Sequence, residues 1–348
     1  MTIYLKTAQR RSLQKLLICL DNFLLPSIQN GFIIAVSGGP DSRALLESIA
    51  LWPHRNKSKF VVASFNHSIR QESSQESYLV LARAKRLGFD TFYAQRVSQA
   101  YVGEQELRNW RYAELSKISQ QTGYKNIVLA HHADDNAEGF LMALLGSGGG
   151  SFGAAIRNYT LNQDLNLIRP FLCLSKKELL LFLTLYKQTD FFIDNSDECQ
   201  QGQRAKVRHG ILPLLEENYP NIKKRLNFFA KNQSMQKDLL EDLAKQLICF
   251  NNQEAIIDSK APSLVISCAI KMALGCLFPK KDFRSSKNTL EKLVLRVEEY
   301  NSLINSALDP SIKCSKVKQM ENKKYIFSGV VAQIVENKLV LSLICSDP

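Results

Sequence analysis

The chain has 348 residues, of which 45% are hydrophobic, so it is long enough for two domains with substantial cores. Its 45 Lys and Arg residues against 33 Asp and Glu residues give a formal net charge of +12, which favours a polyanionic partner, either nucleic acid or an anionic membrane surface. No apolar run approaches the roughly 20 residues of a membrane-spanning helix, and no two of the eight cysteines have the C-x-x-C spacing of a zinc or redox site.

The N-terminal segment carries charged side chains throughout, which argues against a signal peptide with an apolar core. These side chains are Lys6, Arg10, Arg11, Lys15 and Asp21. The scattered cysteines are typical of a reduced, cytoplasmic protein, in which they act as small hydrophobic residues. The sequence therefore predicts a cytoplasmic protein without a membrane partner.

Short apolar runs alternate with amphipathic segments over the first 140 residues. The runs suit strands that are buried on both faces of a parallel sheet, and the segments between them have the length of helices. The predicted strands are 32–36, 60–65, 91–97 and 126–130, and the predicted helices are 42–52, 73–87 and 104–122. This alternation predicts an α/β fold with a doubly wound parallel sheet, in which ligands bind beyond the carboxyl ends of the strands.

The residue pattern changes in the second half of the chain. A glycine-rich stretch, 146–153, predicts a mobile loop, and Ser175 with Glu178 forms a capping box that predicts a helix through about Tyr186. From about Pro220 the sequence is helical and basic, with an apolar stripe between residues 290 and 304. The end of the chain, 324–344, predicts a hairpin. We expect a smaller, mainly helical C-terminal domain, with the border near residue 217.

The sharpest motif is Ser37-Gly38-Gly39-Pro40-Asp41-Ser42, which follows the first strand and opens a helix. Adjacent glycines let the backbone approach a ligand, and the N–H groups of a helix start suit phosphate. An acid at Asp41 makes sense there if it holds a cation on the phosphates. The motif is neither a Walker A loop nor a dinucleotide fingerprint. A plain turn with Asp41 or Ser42 as helix cap is the alternative.

A second cluster, 130–138, follows the strand at 126–130. It contains His131, His132, Asp134, Asp135 and Glu138. On the predicted helix Asp135 and Glu138 lie side by side, so they could grip a cationic amine, while a histidine contacts phosphate or moves a proton. Two alternatives stay open: solvated acids at a helix start, and a metal site, although the spacing matches no standard zinc pattern.

A third group begins with the acidic loop 194–197 and continues through Arg204 and Arg208 to the apolar segment 211–215. Arginines at the edge of the sheet can meet the phosphates of a nucleotide or an RNA. The alternative is a loop and an amphipathic helix with solvated arginines.

The motif at 37–42 resembles the PP-loop of ATP pyrophosphatases, which implies an adenine-nucleotide α-hydrolase-like sheet. Over roughly residues 30–225 the chain resembles the tRNA(Ile)-lysidine synthetase family, because seven segments occur in the family's order. They are SGGPDS at 37–42, FNHSIRQES at 65–73, LRNWRYAEL at 107–115, LAHHADDNAE at 129–138, GSG at 146–148, IRPFL at 168–172, and DNSD at 194–197 with the arginines and ILPLL that follow.

The resemblance implies roles for individual residues. ATP and Mg²⁺ would be held by Ser37, Gly38, Gly39, Pro40, Asp41 and Ser42, with Asp41 as the metal ligand. His131 would work near the phosphates, Asp135 and Glu138 would bind free L-lysine, and Arg204 would belong to the catalytic site. Three positions depart from the family pattern: Gly139 replaces the usual Thr, Leu145 replaces an Arg, and Ala205 replaces an Asn.

The resemblance also implies a reaction and its partners. ATP adenylates C2 of the first anticodon cytidine of tRNA(Ile), pyrophosphate leaves, and the ε-amine of lysine displaces AMP. Residues 1–217 would then be the catalytic ATP-binding domain and 218–348 a single C-terminal tRNA-binding module, with a homodimer as the one protein partner considered. The alternatives are a PP-loop tRNA thiolase, which the missing C-x-x-C pair disfavours, and a basic RNA-binding protein without activity.

Overall fold

The structure of the protein, a computed structural model, describes residues 2–66, 73–96, 103–146, 155–162, 164–187, 203–251, 254–277, 287–305, 310–321, 323–327 and 330–343. The chain divides into two compact units: the first takes in residues 1–148 and 152–231, and the second takes in residues 149–151 and 232–348. The predicted domain border near residue 217 stays a prediction. None of the helices in the described ranges has the length and apolar character needed to cross a membrane.

The first unit is built on a six-stranded sheet. Its strands are β1 (Phe32–Ala35), β2 (Phe60–Asn66), β3 (Asp90–Gln95), β4 (Asn126–Val128), β5 (Tyr159–Asn162) and β6 (Leu165–Ile168). They lie in the order β3-β2-β1-β4-β6-β5, and all neighbours are parallel except β5 and β6. The chain therefore reverses its direction of travel across the sheet between β1 and β4, which is where α/β sheets open a crevice for ligands.

Helices cover both faces of this sheet. They are α1 (Thr2–Leu24), α2 (Pro40–Ala50), α3 (Ser73–Arg86), α4 (Glu104–Thr122), α5 (Ala133–Leu144) and α6 (Lys176–Leu185). Alternate residues of β1 point to opposite faces: Phe32 and Ile34 pack in one core with α1, α2 and α6, and Ile33 packs in a second core against α4. The predicted doubly wound fold is confirmed, with the four predicted strands and three predicted helices within a few residues of their expected bounds.

A helical segment follows in the same unit. It consists of α7 (Gln203–Lys206), one π-helical turn (Val207–Ile211), α8 (Leu212–Asn218) and the start of α9 (Ile222–Leu247). The N–H of Leu212 bonds to the carbonyl of Val207, five residues back, as in a π-helix. The next residue, Pro213, has no N–H to give to the carbonyl four residues before it. Val207 and Leu212 pack with Ala137 and Leu141 of α5, so this segment is held against α5.

The second unit has its own core and sheet. Its elements are β7 (Ile248–Asn251), β8 (Glu254–Asp258), α10 (Ser263–Leu277), α11 (Lys287–Ile304), α12 (Pro310–Glu321), β9 (Lys324–Phe327), β10 (Val330–Val335) and β11 (Lys338–Leu343). The predicted hairpin is β10–β11, and its turn residues Glu336 and Asn337 have positive φ angles of 46° and 64°, as a tight hairpin turn requires. The sheet is larger than predicted, because β7, β8 and β9 add to the hairpin.

Candidate active site

The three sequence motifs converge at the carboxyl ends of β1 and β4. The loop Ser37–Ser42 leaves β1, and the segment with His131 and His132 leaves β4, which pairs with β1 in parallel register. Neighbouring parallel strands end at the same edge of a sheet, so the topology alone places these two segments side by side. Residues 67–72, 147–154 and 188–202, which include the predicted glycine-rich loop and the acidic loop at 194–197, lie outside the described residues.

The loop has the backbone features of a phosphate cradle. Gly38 has a positive φ of 94°, a conformation that a residue with a side chain rarely adopts. Gly39 is the N-cap of α2 and has no side chain to cap it, which leaves the first amide N–H groups of the helix to a ligand. The Ser42 hydroxyl organises the loop from within, since it accepts from the Ser37 N–H at 3.2 Å and donates to the Gly39 carbonyl at 3.0 Å.

Asp41 joins the loop to the second motif. Its Oδ2 lies 3.4 Å from Nε2 of His132, while its Oδ1 is buried with no hydrogen-bond partner. A buried carboxylate oxygen without a partner is costly unless a cation or donor meets it. The chemistry of this oxygen fits the predicted Mg²⁺ ligand, because hard divalent cations prefer carboxylate oxygen. Within the described ranges no group of three or more His, Cys, Asp or Glu side chains is arranged around a metal position.

His132 is held between two carboxylates. Desolvation by burial is the largest single influence on its pKa and lowers it, but the contact with Asp41 and the charges of Asp135, Asp41 and Asp134 together raise the pKa above the ordinary value. Asp135 caps the start of α5, where its Oδ2 accepts the His132 N–H at 2.8 Å. His132 is therefore biased toward its charged form, and it links the phosphate loop to the acids of α5.

Two arginines meet the acidic pair of α5. Arg208 forms a bidentate pair with Glu138: its Nε donates to Oε1 and its Nη2 donates to Oε2, each at 2.8 Å. Arg204 Nε donates to Oε2 of the same carboxylate at 3.2 Å. Contacts with Asp135 Oδ1 are longer, 3.3 Å from Arg204 and 3.7 Å from Arg208. The Glu138 side chain is only 5% exposed. The acids are thus neutralised by the protein itself, a pairing that the sequence pattern does not reveal.

His131 lies in a positive electrostatic environment. Burial lowers its pKa most; the charge of Asp135 opposes this, and the charges of Arg169, Arg111 and Arg204 lower it further, to about 4. Its Nδ1 is buried without a hydrogen-bond partner. A neutral imidazole on which the charges of three arginines act suits a bound anion, which would offset those charges.

The structure thus brings the predicted residues Asp41, Asp135, Glu138 and Arg204 into one connected group, and the pKa of His131 responds to two of them. His132, Arg111 and Arg169 have no individual role in the prediction from sequence. A signal for two of them was present, because Arg111 and Arg169 lie inside the quoted segments 107–115 and 168–172. The direction of their charges toward His131 depends on tertiary packing, which the sequence pattern does not contain.

Comparison with known proteins decides the family. A family model described as a PP-loop domain matches residues 9–215 of the chain. The chain belongs to the PP-loop family. The match confirms the predicted ATP-binding PP-loop domain, and it ends within α8, so it takes in every residue of the site described above.

Similar proteins with curated names point in one direction. The chain is 31% identical over 215 residues to a tRNA(Ile)-lysidine synthase of Streptococcus pyogenes, with 62% of this chain and 48% of that protein covered. It is 32% identical over 230 residues to a tRNA(Ile)-lysidine synthase of Streptococcus equi subsp. zooepidemicus, with 65% and 52% covered. The resemblance drawn from the seven segments is confirmed. The chain spans about half the length of these relatives.

Among solved structures, the chain is similar to a U34-tRNA thiolase from Methanococcus maripaludis, with a TM-score of 0.51. The identity is 13%, and the alignment covers 64% of this chain and 78% of that one. At this identity the similarity concerns the PP-loop fold alone.

Proposed function

We propose that the protein is a tRNA(Ile)-lysidine synthetase, an ATP-dependent ligase that joins free L-lysine to C2 of the first anticodon cytidine of tRNA(Ile). The observation that carries the proposal is the connected site: a phosphate loop, joined through Asp41 and His132 to a cluster of two carboxylates and two arginines. The curated names of the relatives support the same activity. A cytoplasmic location is part of the proposal.

The first half of the site suits the α-phosphate and the leaving pyrophosphate. The loop and the helix start that would hold the phosphates are formed by Ser37, Gly38, Gly39, Pro40 and Ser42. Asp41 Oδ1 would hold Mg²⁺, which when bound neutralises charge on the leaving group. His132, biased toward its charged form, adds a positive group beside Asp41. His131 adds a neutral ring, which would hydrogen-bond to a phosphate oxygen rather than pair with its charge.

The second half of the site suits an amino acid in its zwitterionic form. Asp135 Oδ1 receives only long contacts from the two arginines, so this oxygen can accept the α-ammonium of lysine. Arg204, whose side chain is 34% exposed, can turn toward the α-carboxylate. Glu138 has both oxygens engaged by Arg208 and so holds the arginines in place. The ε-amine then stays outside this grip, available to attack C2.

The lysine ε-ammonium must lose a proton to water before the neutral amine attacks, while Asp135 holds the α-ammonium. The ordinary pKa of the ε-ammonium, about 10.4, leaves only a small neutral fraction near neutral pH. Asp135 has one loosely held oxygen, Oδ1, because its Oδ2 accepts the His132 N–H. Burial acts to raise the pKa of Asp135, but the charge of His132, the bond from the His132 N–H and the charge of Arg204 outweigh burial and keep the pKa low. It therefore stays charged and able to orient an ammonium group.

The two half-reactions provide the test. With ATP, Mg²⁺ and tRNA(Ile), but without lysine, the enzyme should adenylate the tRNA and release pyrophosphate in a single turnover; AMP should appear only when lysine is added. Pyrophosphate is measured by an enzyme-coupled assay, and AMP by chromatography. A thiolase would require a sulfur donor instead of lysine for AMP release, and a non-catalytic RNA-binding protein would release neither product. Either result would overturn the proposal.

A further inference from the structure

Two cysteine thiols meet where α1 crosses the turn after β6. Cys19 lies on α1, and Cys173 ends the short helical turn Pro170–Cys173. Their Sγ atoms are 3.0 Å apart although the residues are 154 positions apart in the sequence. Cys19 is 5% exposed, whereas Cys173 is exposed to solvent. A disulfide has an S–S length of about 2.0 Å, so a shift of roughly 1 Å would bring these atoms to bonding distance.

The two thiols are not equivalent. The hydrogen bond from the Cys19 thiol lowers the pKa of Cys173, and burial raises it. The charge of Lys231 also lowers this pKa, while the charge of Glu178 raises it, and the net value is about 7. The same hydrogen bond, followed by burial, raises the pKa of Cys19. The thiolate is the reactive form of cysteine, so the exposed Cys173 is the nucleophile. Cys19 stays protonated and is the second thiol of the pair.

The geometry points to a modification site: Cys173 reacts with a hydroperoxide, and Cys19 then closes a reversible disulfide. In the first step the Cys173 thiolate attacks one peroxide oxygen, the O–O bond breaks, and the products are a sulfenic acid and hydroxide or alkoxide. In the second step Cys19 loses its proton and attacks the Cys173 sulfur, an S–S bond forms, and hydroxide leaves as water. Two thiols are oxidised by two electrons, and one peroxide is reduced.

The position of this pair gives the bond a structural consequence. Cys173 lies in the segment between Arg169 and α6, and this segment is bonded to the start of α5. The Leu174 carbonyl accepts the Ala133 N–H at 2.8 Å, and Asp134 Oδ1 accepts the Lys176 N–H at 3.0 Å. A disulfide would fasten α1 to the segment that supports the acidic end of α5.

The test uses the purified protein treated with hydrogen peroxide and analysed by intact mass and peptide mapping. The wild type should lose two hydrogens, about 2 Da, and yield one cross-linked peptide pair containing Cys19 and Cys173, and dithiothreitol should reverse both changes. In Cys19→Ser the sulfenic acid at Cys173 has no partner, so dimedone should trap it, and prolonged treatment should give the sulfinic acid. Cys249→Ser, an exposed cysteine of the second unit, is the matched control and should behave as the wild type.

Two outcomes contradict the proposal. One is accumulation of sulfinic acid at Cys173 in the wild type as fast as in Cys19→Ser, which would show that Cys19 does not intercept the intermediate. The other is a bridge from Cys173 to any cysteine except Cys19. If Cys19→Ser does not fold because this site is buried, Cys173→Ser at the exposed position supplies the readout: it should lose the cross-link and leave Cys19 unmodified.

Discussion

At the scale of single residues, Asp41 has two oxygens in different surroundings. Oδ2 faces His132 at 3.4 Å, and Oδ1 is buried without a partner. This asymmetry is informative because a purely structural carboxylate would have both oxygens satisfied. The sequence predicts that an acid at this point of the loop would hold a cation. It could not indicate which oxygen is left for it, because that depends on a histidine from another strand.

Asp41→Asn should keep the fold and abolish pyrophosphate release. The substitution preserves the size of the side chain but removes the charge that would hold Mg²⁺, and loss of charge stabilisation at a leaving group costs roughly 100-fold or more in rate. The measurement is pyrophosphate release together with thermal melting. Asp90→Asn, at an exposed position on the edge strand β3, is the matched control. Wild-type release by Asp41→Asn would remove the assigned role of Asp41.

Asp135→Asn should raise the KM for lysine, while ATP binding stays close to that of the wild type. A charge-assisted hydrogen bond contributes about 1.5–3 kcal/mol, which corresponds to an increase in KM of roughly 10–100-fold. Steady-state kinetics with varied lysine and a separate titration with ATP measure the two effects. An unchanged KM for lysine would show that this carboxylate does not contact the amine.

The two histidines should titrate in opposite directions from the ordinary value of about 6.5. Burial and three arginines lower the pKa of His131 to about 4, while the acids around His132 raise its pKa. Between pH 6.5 and 4 the unfolded chain binds a proton that folded His131 does not, so its contribution to stability falls as the pH falls. His132 stabilises the fold below pH 6.5, and this contribution is lost as the pH rises through its folded pKa.

Nuclear magnetic resonance of the histidine rings measures both values, with His131→Gln to assign the signals. Addition of ATP and Mg²⁺ should raise the pKa of His131, since phosphate charge offsets the arginines. A ring that titrates near 6.5 at position 131, with or without ATP, would contradict the positive environment described above.

At the scale of elements, the junction between α5 and the segment α7 to α8 assembles the charged cluster. Arg208 lies in the π turn Val207–Ile211, and its guanidinium group donates two hydrogen bonds to Glu138 on α5. The start of α5 was predictable because its apolar residues recur at helical spacing and its acids cap the first turn. The pairing of Arg208 with Glu138 was not predictable, since it depends on the packing of Val207 and Leu212 against α5.

Arg208→Ala should lower the free energy of unfolding by about 1–3 kcal/mol, because it leaves Glu138 buried with one weaker partner. The value is moderate because the Arg208 side chain is 28% exposed and solvent screens part of the interaction. Denaturant unfolding measures it. Arg225→Ala, at an exposed position on α9, should change stability by less than about 0.5 kcal/mol.

A double variant tests the cause of this loss. Glu138→Gln in the Arg208→Ala background removes the unpaired charge, so the second substitution should restore part of the lost stability. Additive losses in the double variant would mean that the two side chains act independently.

At the scale of the whole molecule, charge and architecture were the most predictable properties. The strand and helix pattern of the first unit follows from apolar runs of the right length, and the parallel order follows from the alternation of strands and helices. The second unit was predicted less completely. β7 (Ile248–Asn251) is only four residues long and follows directly on α9, so its sequence pattern is indistinguishable from the end of an amphipathic helix.

Binding of tRNA should weaken steeply with salt, since part of the net charge of +12 is expected to meet phosphates. Lys224 and Arg225 are exposed on α9, and each substitution to alanine should reduce the slope of log Kd against log salt by about 1. Lys117→Ala is the control, because Lys117 pairs with Glu114 on α4 at 2.6 Å. A slope near zero for the wild type would mean that the positive charge serves another purpose.

The proposed function, transfer of lysine to tRNA by the PP-loop and the charged cluster, can be tested directly by one measurement. The purified protein is incubated with ATP, Mg²⁺, radiolabelled L-lysine and tRNA(Ile) with a CAU anticodon, and the tRNA is then precipitated and digested to nucleosides. The label should enter the tRNA only when ATP is present, should reside on the nucleoside derived from the first anticodon cytidine, and should be absent with Asp41→Asn. Unlabelled tRNA after ATP-dependent pyrophosphate release would contradict the claim and leave a PP-loop enzyme with a different acceptor chemistry.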